Sequence, residues 1–160
     1  MKTNKLSHLN KNGAANMVNI SPKHSTERRA LAEGKIYLEK GTVDLIKSNL
    51  LKKGDVVSIA RIAGIMGAKN TSNIIPLCHQ IPLDSIEIDI TTMKNNGGLI
   101  VSSVCICNGK TGVEMEALVS VSIACLTIYD MVKSVDRSAT ISDIKLIEKS
   151  GGKSGHFKIK

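Results

Sequence analysis

Hydrophobic and polar residues alternate strictly over residues 84–90, DSIEIDI. The three isoleucines would share one face of a β-strand, and Ser85, Glu87 and Asp89 the other, a pattern typical of a half-exposed strand. Asn-Asn-Gly-Gly, within residues 93–98, has the chemistry of a hairpin turn, and residues 99–107 supply a return strand. Residues 140–149, TISDIKLIEK, predict a last strand. The pattern indicates an antiparallel sheet.

Helical periodicity precedes this sheet. Residues 26–34, TERRALAEG, predict a short helix closed by Gly34, and IYLE at 36–39 predicts a short strand. Residues 42–51 predict a second helix with an apolar stripe. These elements follow a polar stretch, residues 1–25, which predicts an irregular N-terminal arm.

Two further segments are apolar and long. Asp55 is a plausible N-cap for residues 56–68, where small residues would let another backbone approach closely. Residues 111–135 form the longest helical candidate, apolar on most sides and therefore expected to be buried on several faces. Strands followed by helices segregated to one side indicate an α+β fold. Residues 26–160 are predicted to be one α+β domain ending in a Gly-rich loop.

Composition limits the class of protein. The N-terminus lacks the apolar core of a secretory signal, and no uninterrupted apolar run approaches the length of a membrane span, which excludes both. The cysteines at 78, 105, 107 and 125 have neither zinc-site nor disulfide-framework spacing. Reduced thiols, no metal site and a cytoplasmic location are therefore expected.

The chain is basic, with 22 Lys and Arg against 14 Asp and Glu, a formal charge of +8. Anionic partners are favoured, whether nucleic acid, phosphorylated small molecules or a membrane surface. Only Tyr37, Tyr129 and Phe157 are aromatic, which argues against nucleic-acid modules that stack bases on exposed rings. Gly109-Lys110-Thr111 fails as a phosphate-binding P-loop, because the required earlier glycine is Val104. An anion at the start of the following helix remains an option.

Residues 75–85, IPLCHQIPLDS, are the most unusual segment. Pro76 and Pro82 fix the backbone at two points and make a continuous helix unfavourable. A stiff loop would then present Cys78 and His79 at a defined place, as a binding or catalytic site requires. The alternative is a buried turn with a hydrogen-bonded histidine.

The long helix carries charged residues near both ends. Asp130 and Lys133 share a face; they form either a surface ion pair worth under about 1 kcal/mol or an acid and base with shifted pKa values. Glu116 and Asp130 would lie roughly 21 Å apart along the helix. If both are functional, a second subunit should bring an antiparallel helix alongside.

Three long blocks carry a resemblance to a known family: KKGDVVSIARIAGIMGAKNTSNIIPLCHQIPL, KTGVEMEALVSVSIACLTIYDMVKSVD and KLIEKSGGKSG. From about Ala14 to the C-terminus the chain resembles the MoaC family, the cyclic pyranopterin monophosphate synthases of molybdenum-cofactor biosynthesis. The resemblance implies a ferredoxin-like fold, an antiparallel sheet with helices on one face, in a homohexamer built as a trimer of dimers. It implies a lyase that converts 3′,8-cyclo-7,8-dihydro-GTP into cyclic pyranopterin monophosphate and diphosphate, by acid/base ring rearrangement and phosphate cyclisation. It implies no bound cofactor, and leaves open whether Mg²⁺ accompanies the triphosphate.

The resemblance also implies the site residues, with the site between subunits. The family's catalytic residues match Asp130, Lys133, Lys53 and His79. Its substrate-binding positions match the PLCH loop, the VEME segment and basic residues near the phosphates: Leu77, Cys78, His79, Glu114, Met115, Glu116, Lys149 and Lys153. Arg61 and Lys69 are further candidates for the triphosphate. Gln80 departs from the family pattern, since many relatives have proline there.

These residue types suit the chemistry. Ring opening and closure move protons repeatedly, and a clustered lysine is expected to have its pKa lowered by like charge and burial. Positive charge would stabilise the diphosphate leaving group. Two rival interpretations are a ferredoxin-like nucleotide- or RNA-binding module and a catalytically silent assembly partner. The sequence does not assign the individual proton transfers.

Overall fold

The computed structural model describes residues 12–153 and 155–159, so residues 1–11 of the predicted arm lie outside the described residues. Residues 12–25 form no helix. The remaining elements follow in this order: β1 (Thr26–Tyr37), α1 (Lys40–Lys47), α2 (Val56–Lys69), α3 (Thr71–Ile74), β2 (Ser85–Thr92), β3 (Gly98–Gly109), α4 (Glu114–Val132), β4 (Thr140–Ser150) and β5 (Phe157–Lys158).

The strands form one five-stranded sheet in the order β2-β3-β1-β4-β5, with every neighbouring pair antiparallel. Helices α2 and α4 connect the strands in the β-α-β-β-α-β sequence of a ferredoxin-like topology. Side chains alternate along β1 and β3, so that one face of the sheet is buried and the other half-exposed. The predicted α+β class and the β2–β3 hairpin are confirmed.

The helix predicted over residues 26–34 is wrong. This segment is the first part of β1, which pairs with β3 along its whole length and with β4 on its other side. The alanines that favour helix in isolation, Ala30 and Ala32, are fully buried on the sheet because small side chains admit α4 closely, and this tertiary packing overrides local propensity. Gly34 is no helix cap; a Cβ there would meet the side chain of Val121 in α4. Of the short strand predicted at 36–39, only Ile36 and Tyr37 belong to a strand, as the last two residues of β1.

The other boundaries shift by a few residues. Helix α1 begins and ends earlier than predicted, and α4 is shorter at both ends than the predicted 111–135. Asp55 is the N-cap of α2 as predicted, accepting a hydrogen bond from the Ser58 N–H at 2.9 Å. The Gly-rich tail contains the two-residue strand β5, which pairs with β4.

Helices α2 and α4 pack against each other through small residues. A Cβ on Gly64 would lie 3.0 Å from the Ser120 carbonyl and 2.5 Å from the Ile88 side chain, and one on Gly67 would lie 2.9 Å from Ile123. Buried Ala60 and Ala68 extend this contact. The predicted close backbone approach is therefore the packing of α2 onto α4.

Of the described helices, only α4 has the length and apolar composition that crossing a membrane requires. More than half of its apolar window, 56%, is buried within the fold. A core helix of a soluble protein has the same composition, so this property is weak support for a membrane span.

We expect Gly64→Val to lower the free energy of unfolding by about 1–3 kcal/mol, because its side chain must displace Ile88 or separate α2 from α4. Equilibrium urea unfolding at fixed protein concentration measures the change. Gly41→Ala in α1 is the matched control, since nothing lies within 4 Å of a Cβ at Gly41. Equal stability of the two variants would contradict the packing argument.

Candidate active site

The PLCH loop begins where α3 ends. Pro76 follows Ile75, whose backbone is extended, and the Cys78 N–H closes a turn onto the Ile75 carbonyl at 3.1 Å. His79 follows, and its Nε2 lies 2.7 Å from the carbonyl oxygen of Val18. No helix runs through residues 75–85, as predicted, and the loop holds a half-buried histidine against the N-terminal segment.

This loop forms one wall of a cavity of about 340 Å³. The start of α4 forms a second wall and the N-terminal segment a third. The lining combines apolar side chains with a few titratable ones: Val18, Ile20, Lys23, Leu77, Cys78, His79, Ile81, Thr111, Gly112, Glu114, Met115 and Glu116. Six predicted site residues, from two distant parts of the chain, therefore meet in one cavity.

Glu116 is the buried carboxyl of this cavity, with 4% of its surface exposed. Burial raises the pKa of Glu116, and the neighbouring charge of Glu114 raises it further. Burial also raises the pKa of the Cys78 thiol, with the charge of Glu116 adding to the effect. Cys78 is therefore suited to contact a ligand as a neutral thiol, not as a nucleophilic thiolate. Glu116 is placed to hold and release a proton.

A second, strongly basic cavity of about 770 Å³ adjoins the first, and the two share Lys23, Thr111, Gly112 and Glu114. We call it the basic cavity. Its cationic lining residues are Lys23, Arg28, Lys110, Lys149 and Lys153. Its one acidic lining residue, Glu114, accepts a hydrogen bond from Lys149 Nζ at 2.7 Å. The basic cavity therefore carries an excess of positive charge that is suited to a polyanion.

Sequence reasoning missed two cationic residues of the basic cavity, Lys23 and the more deeply buried Arg28. Arg28 is 9% exposed, and its Nε donates to the Gly109 carbonyl at 3.1 Å. Gly151 and Gly152, both with positive φ, pass directly over β1 and the guanidinium, so a Cβ on Gly152 would overlap Arg28. The alternation of small residues after Arg28 would have revealed the strand; reading the segment as helix hid the residue.

A third group lies at the other end of α4. Asp130 accepts hydrogen bonds from Lys53 Nζ at 3.0 Å and from Lys133 Nζ at 2.7 Å, and Lys53 also donates to the Asp130 carbonyl at 2.6 Å. Lys53 is presented by the turn that precedes α2. We call these three residues the ion triad. All three side chains are about half exposed.

The pKa values of Asp130 and Lys133 move away from neutrality. Hydrogen bonds from Lys133 and Lys53 lower the pKa of Asp130 to about 2, and Asp130 raises the pKa of Lys133 through its hydrogen bond and charge. The expectation that clustering lowers a lysine pKa is therefore wrong for Lys133, because its nearest charge is a carboxylate. In a single chain the ion triad is a paired, ionised group.

The predicted site residues thus fall into two groups at opposite ends of one helix. Arg61 and Lys69 join neither. Arg61 Nε donates to the Ile88 carbonyl of the edge strand β2 at 3.2 Å, and exposed Lys69 ends α2; neither lines the two cavities. Within residues 12–153 and 155–159, no group of three His, Cys, Asp or Glu side chains is arranged to hold a metal ion.

A family model described as the MoaC family matches residues 17–152. The chain is 48% identical over 160 residues to a protein of Parvibaculum lavamentivorans, covering 100% of both chains. It is 50% identical to a Brucella ovis protein, covering 97% of this chain and 94% of that one, and 50% identical to a Clostridium acetobutylicum protein, covering 94% and 93%. All three relatives are named cyclic pyranopterin monophosphate synthase.

Among solved structures, the chain is similar to the solution structure of a de novo designed protein with a ferredoxin fold, LFR1 1. The TM-score is 0.41 at 13% identity, covering 74% of this chain and 83% of that one. The fold assignment rests on the strand order above.

We expect Asp130 to titrate near pH 2 and to return toward its ordinary pKa of 3.8 when Lys53 and Lys133 are both replaced by methionine. Because the folded-state pKa is lowered, the ion triad stabilises the fold above about pH 4, and this contribution is lost as the pH falls through about 2. Carboxyl ¹³C NMR measures the titration. Lys52→Met is the control, and an unchanged Asp130 pKa in the double variant would contradict the assignment.

Proposed function

This chain belongs to the MoaC family, and we propose that it catalyses the reaction for which its relatives are named. The reaction converts 3′,8-cyclo-7,8-dihydro-GTP into cyclic pyranopterin monophosphate and diphosphate. The observation that supports this most directly is the junction of the two cavities. A compartment of about 340 Å³ with a few polar groups adjoins a strongly basic one, which suits a substrate with a compact ring system and a triphosphate.

The smaller cavity is proposed to hold the ring system. Its apolar walls, from Leu77, Ile81 and Met115, can exclude water from the rings, and His79 and Glu116 lie at its surface. The raised pKa of Glu116 brings a carboxyl closer to the range in which it can both accept and donate a proton. We propose Glu116 as an acid/base group and the neutral Cys78 thiol as a contact to the ring.

The basic cavity is proposed to hold the phosphates. Arg28 is positioned by Gly109 and Gly152 before any ligand arrives, so its charge costs little reorganisation when a phosphate binds. Lys149 begins paired with Glu114 and can exchange that carboxylate for a phosphate oxygen. Lys23, Lys110 and Lys153 add charge that would stabilise departing diphosphate.

The ion triad is proposed to complete a site that includes two copies of the chain. Asp130 lies fourteen residues beyond Glu116 on α4, about 21 Å along a rigid helix, too far for a small substrate to reach from the cavity. A second copy with an antiparallel α4 would bring its ion triad to the first copy's cavity. Placing Lys133 against the substrate would separate it from Asp130, the carboxylate that raises the pKa of Lys133 in the single chain. We propose a homohexamer, a trimer of dimers, as the assembly.

We propose that the reaction needs no bound redox cofactor, since ring rearrangement and phosphate cyclisation are carried by proton transfers and charge stabilisation. Any Mg²⁺ would arrive with the triphosphate as part of the substrate. The four cysteines are free thiols, which supports a cytoplasmic protein. Family membership favours this enzyme over the RNA-binding module and over the silent assembly partner.

Anaerobic incubation with 3′,8-cyclo-7,8-dihydro-GTP tests the activity directly, with diphosphate and the pyranopterin product as readouts. We expect Lys53→Ala and Arg28→Met each to lower kcat/KM at least about a hundredfold, because each removes a charge held against the substrate. Lys52→Ala is the matched control, an exposed lysine adjacent to Lys53, and it should keep wild-type activity. A folded wild-type chain that forms no product would refute the proposed reaction.

Subunit mixing tests the shared site. His79→Ala and Lys53→Ala should each be inactive alone, because the first damages the cavity and the second the ion triad. If every site takes its cavity from one copy and its ion triad from another, co-refolding the two variants at equal ratio should restore about a quarter of wild-type activity. If mixing restores none although mixed oligomers form, each chain supplies a whole site.

A further inference from the structure

The N-terminal segment at residues 18–24, which we call the strap, supplies part of the lining of both cavities. Val18, Ile20 and Lys23 line the cavity of about 340 Å³, and Pro22, Lys23 and His24 line the basic cavity. The strap thus forms a wall of both compartments, although it belongs to neither the sheet nor the helices.

Two side chains of the domain hold the strap by its carbonyl oxygens. His79 Nε2 lies 2.7 Å from the Val18 oxygen, and Lys110 Nζ donates to the Ser21 oxygen at 2.9 Å. Within the strap, the Lys23 N–H bonds to the Ile20 carbonyl at 3.0 Å. Val18 and Ile20 are half-buried and residues 21–24 are exposed. Little apolar area holds the strap closed, so it belongs to the segments that open at low free energy.

The hydrogen bond to the Val18 carbonyl determines which ring nitrogen of His79 carries the hydrogen. A carbonyl oxygen can only accept, so Nε2 must carry the hydrogen. In the neutral ring Nδ1 is then the acceptor. Within the described residues, Nδ1 makes no hydrogen bond. In this neutral form, the closed strap leaves one ring nitrogen of a cavity residue with its lone pair available.

We propose that the strap is a movable wall of the active site and that the Val18 carbonyl is a positioning group, holding His79 in the Nε2–H tautomer while the strap is closed. Opening the strap breaks the contact that sets this tautomer and at the same time opens the cavity to ligand. Access to the site and the hydrogen-bonding state of His79 are therefore coupled. The contact between His79 Nε2 and the Val18 carbonyl, which we call the latch, stands on the geometry alone. Its use in turnover rests on the proposed function.

Hydrogen–deuterium exchange on the full chain without substrate tests the latch. In His79→Asn the amide is too short to reach the Val18 oxygen, and we expect exchange at residues 18–24 to rise about three- to tenfold. In His79→Gln the amide nitrogen can take the place of Nε2, so exchange should stay within about twofold of wild type. Unchanged exchange in β3 shows that each variant is folded. Wild-type protection in His79→Asn, or equal loss in both variants, would overturn the latch.

The positioning role is tested by ¹⁵N NMR of histidine-labelled protein, with the His79 signals assigned by their loss in His79→Gln. We expect an Nε2–H tautomer in the wild type. Ile20→Asp places a charge on the half-buried wall, should open the strap, and should change the His79 nitrogen shifts. Asn19→Asp puts the same charge on the exposed neighbour and should leave them unchanged. An Nδ1–H tautomer, or strap opening without any change in the His79 shifts, would overturn the role.

These readouts are separate from the proposed reaction. If the chain forms no product but the exchange and nitrogen results are as expected, the latch stands and only its role in turnover is lost. If the chain turns over normally and the two His79 variants show no difference in exchange, the latch is wrong and the proposed function is unaffected.

Discussion

The rigidity of α4 determines how far apart the cavity and the ion triad lie within one chain. The helix crosses the buried face of the sheet and is held along its length by β1 and by α2, where Gly64 and Gly67 allow close contact. A helix fixed on two sides cannot bend to bring its ends together, so Glu116 and Asp130 keep the separation that their spacing in the sequence gives them. The cavity and the ion triad are consequently separate within one chain, and their cooperation is a matter of assembly.

The protonation states of the groups at the two ends of α4 follow from their surroundings. In the cavity at the start of α4, burial favours the neutral forms of Glu116 and of Cys78 from the PLCH loop. At its end, two ammonium groups hold an exposed carboxylate ionised. One helix therefore carries a group inclined to hold a proton and a group that has released one. Such a difference between environments is what reactions with several proton transfers require.

Periodicity predicted the sheet and the principal helices, and the three sequence blocks identified the cavity residues Leu77, His79 and Glu116. Periodicity failed at β1, where the alanines suggested a helix. The packing of α4, which no local pattern contains, decided in favour of a strand. Arg28 was lost with that error. The strap was not foreseen, because its carbonyl oxygens, not its side chains, make the contacts to His79 and Lys110. The contact of Arg61 with the Ile88 carbonyl of β2 likewise depends on tertiary structure. A role in binding phosphate had been suggested for Arg61 because it is positively charged.

Gly152 shows how a residue without a functional group can control a charge. Its backbone passes so close to Arg28 that any side chain would push the guanidinium out of its place. Substitution of Gly152 by an uncharged residue would then displace an arginine while leaving the net charge of the chain unaltered. In a survey of variants scored by charge, this variant would be classed as neutral, and yet it would lower the positive potential of the basic cavity. The position of a positive charge in this fold thus depends partly on a residue that has no side chain.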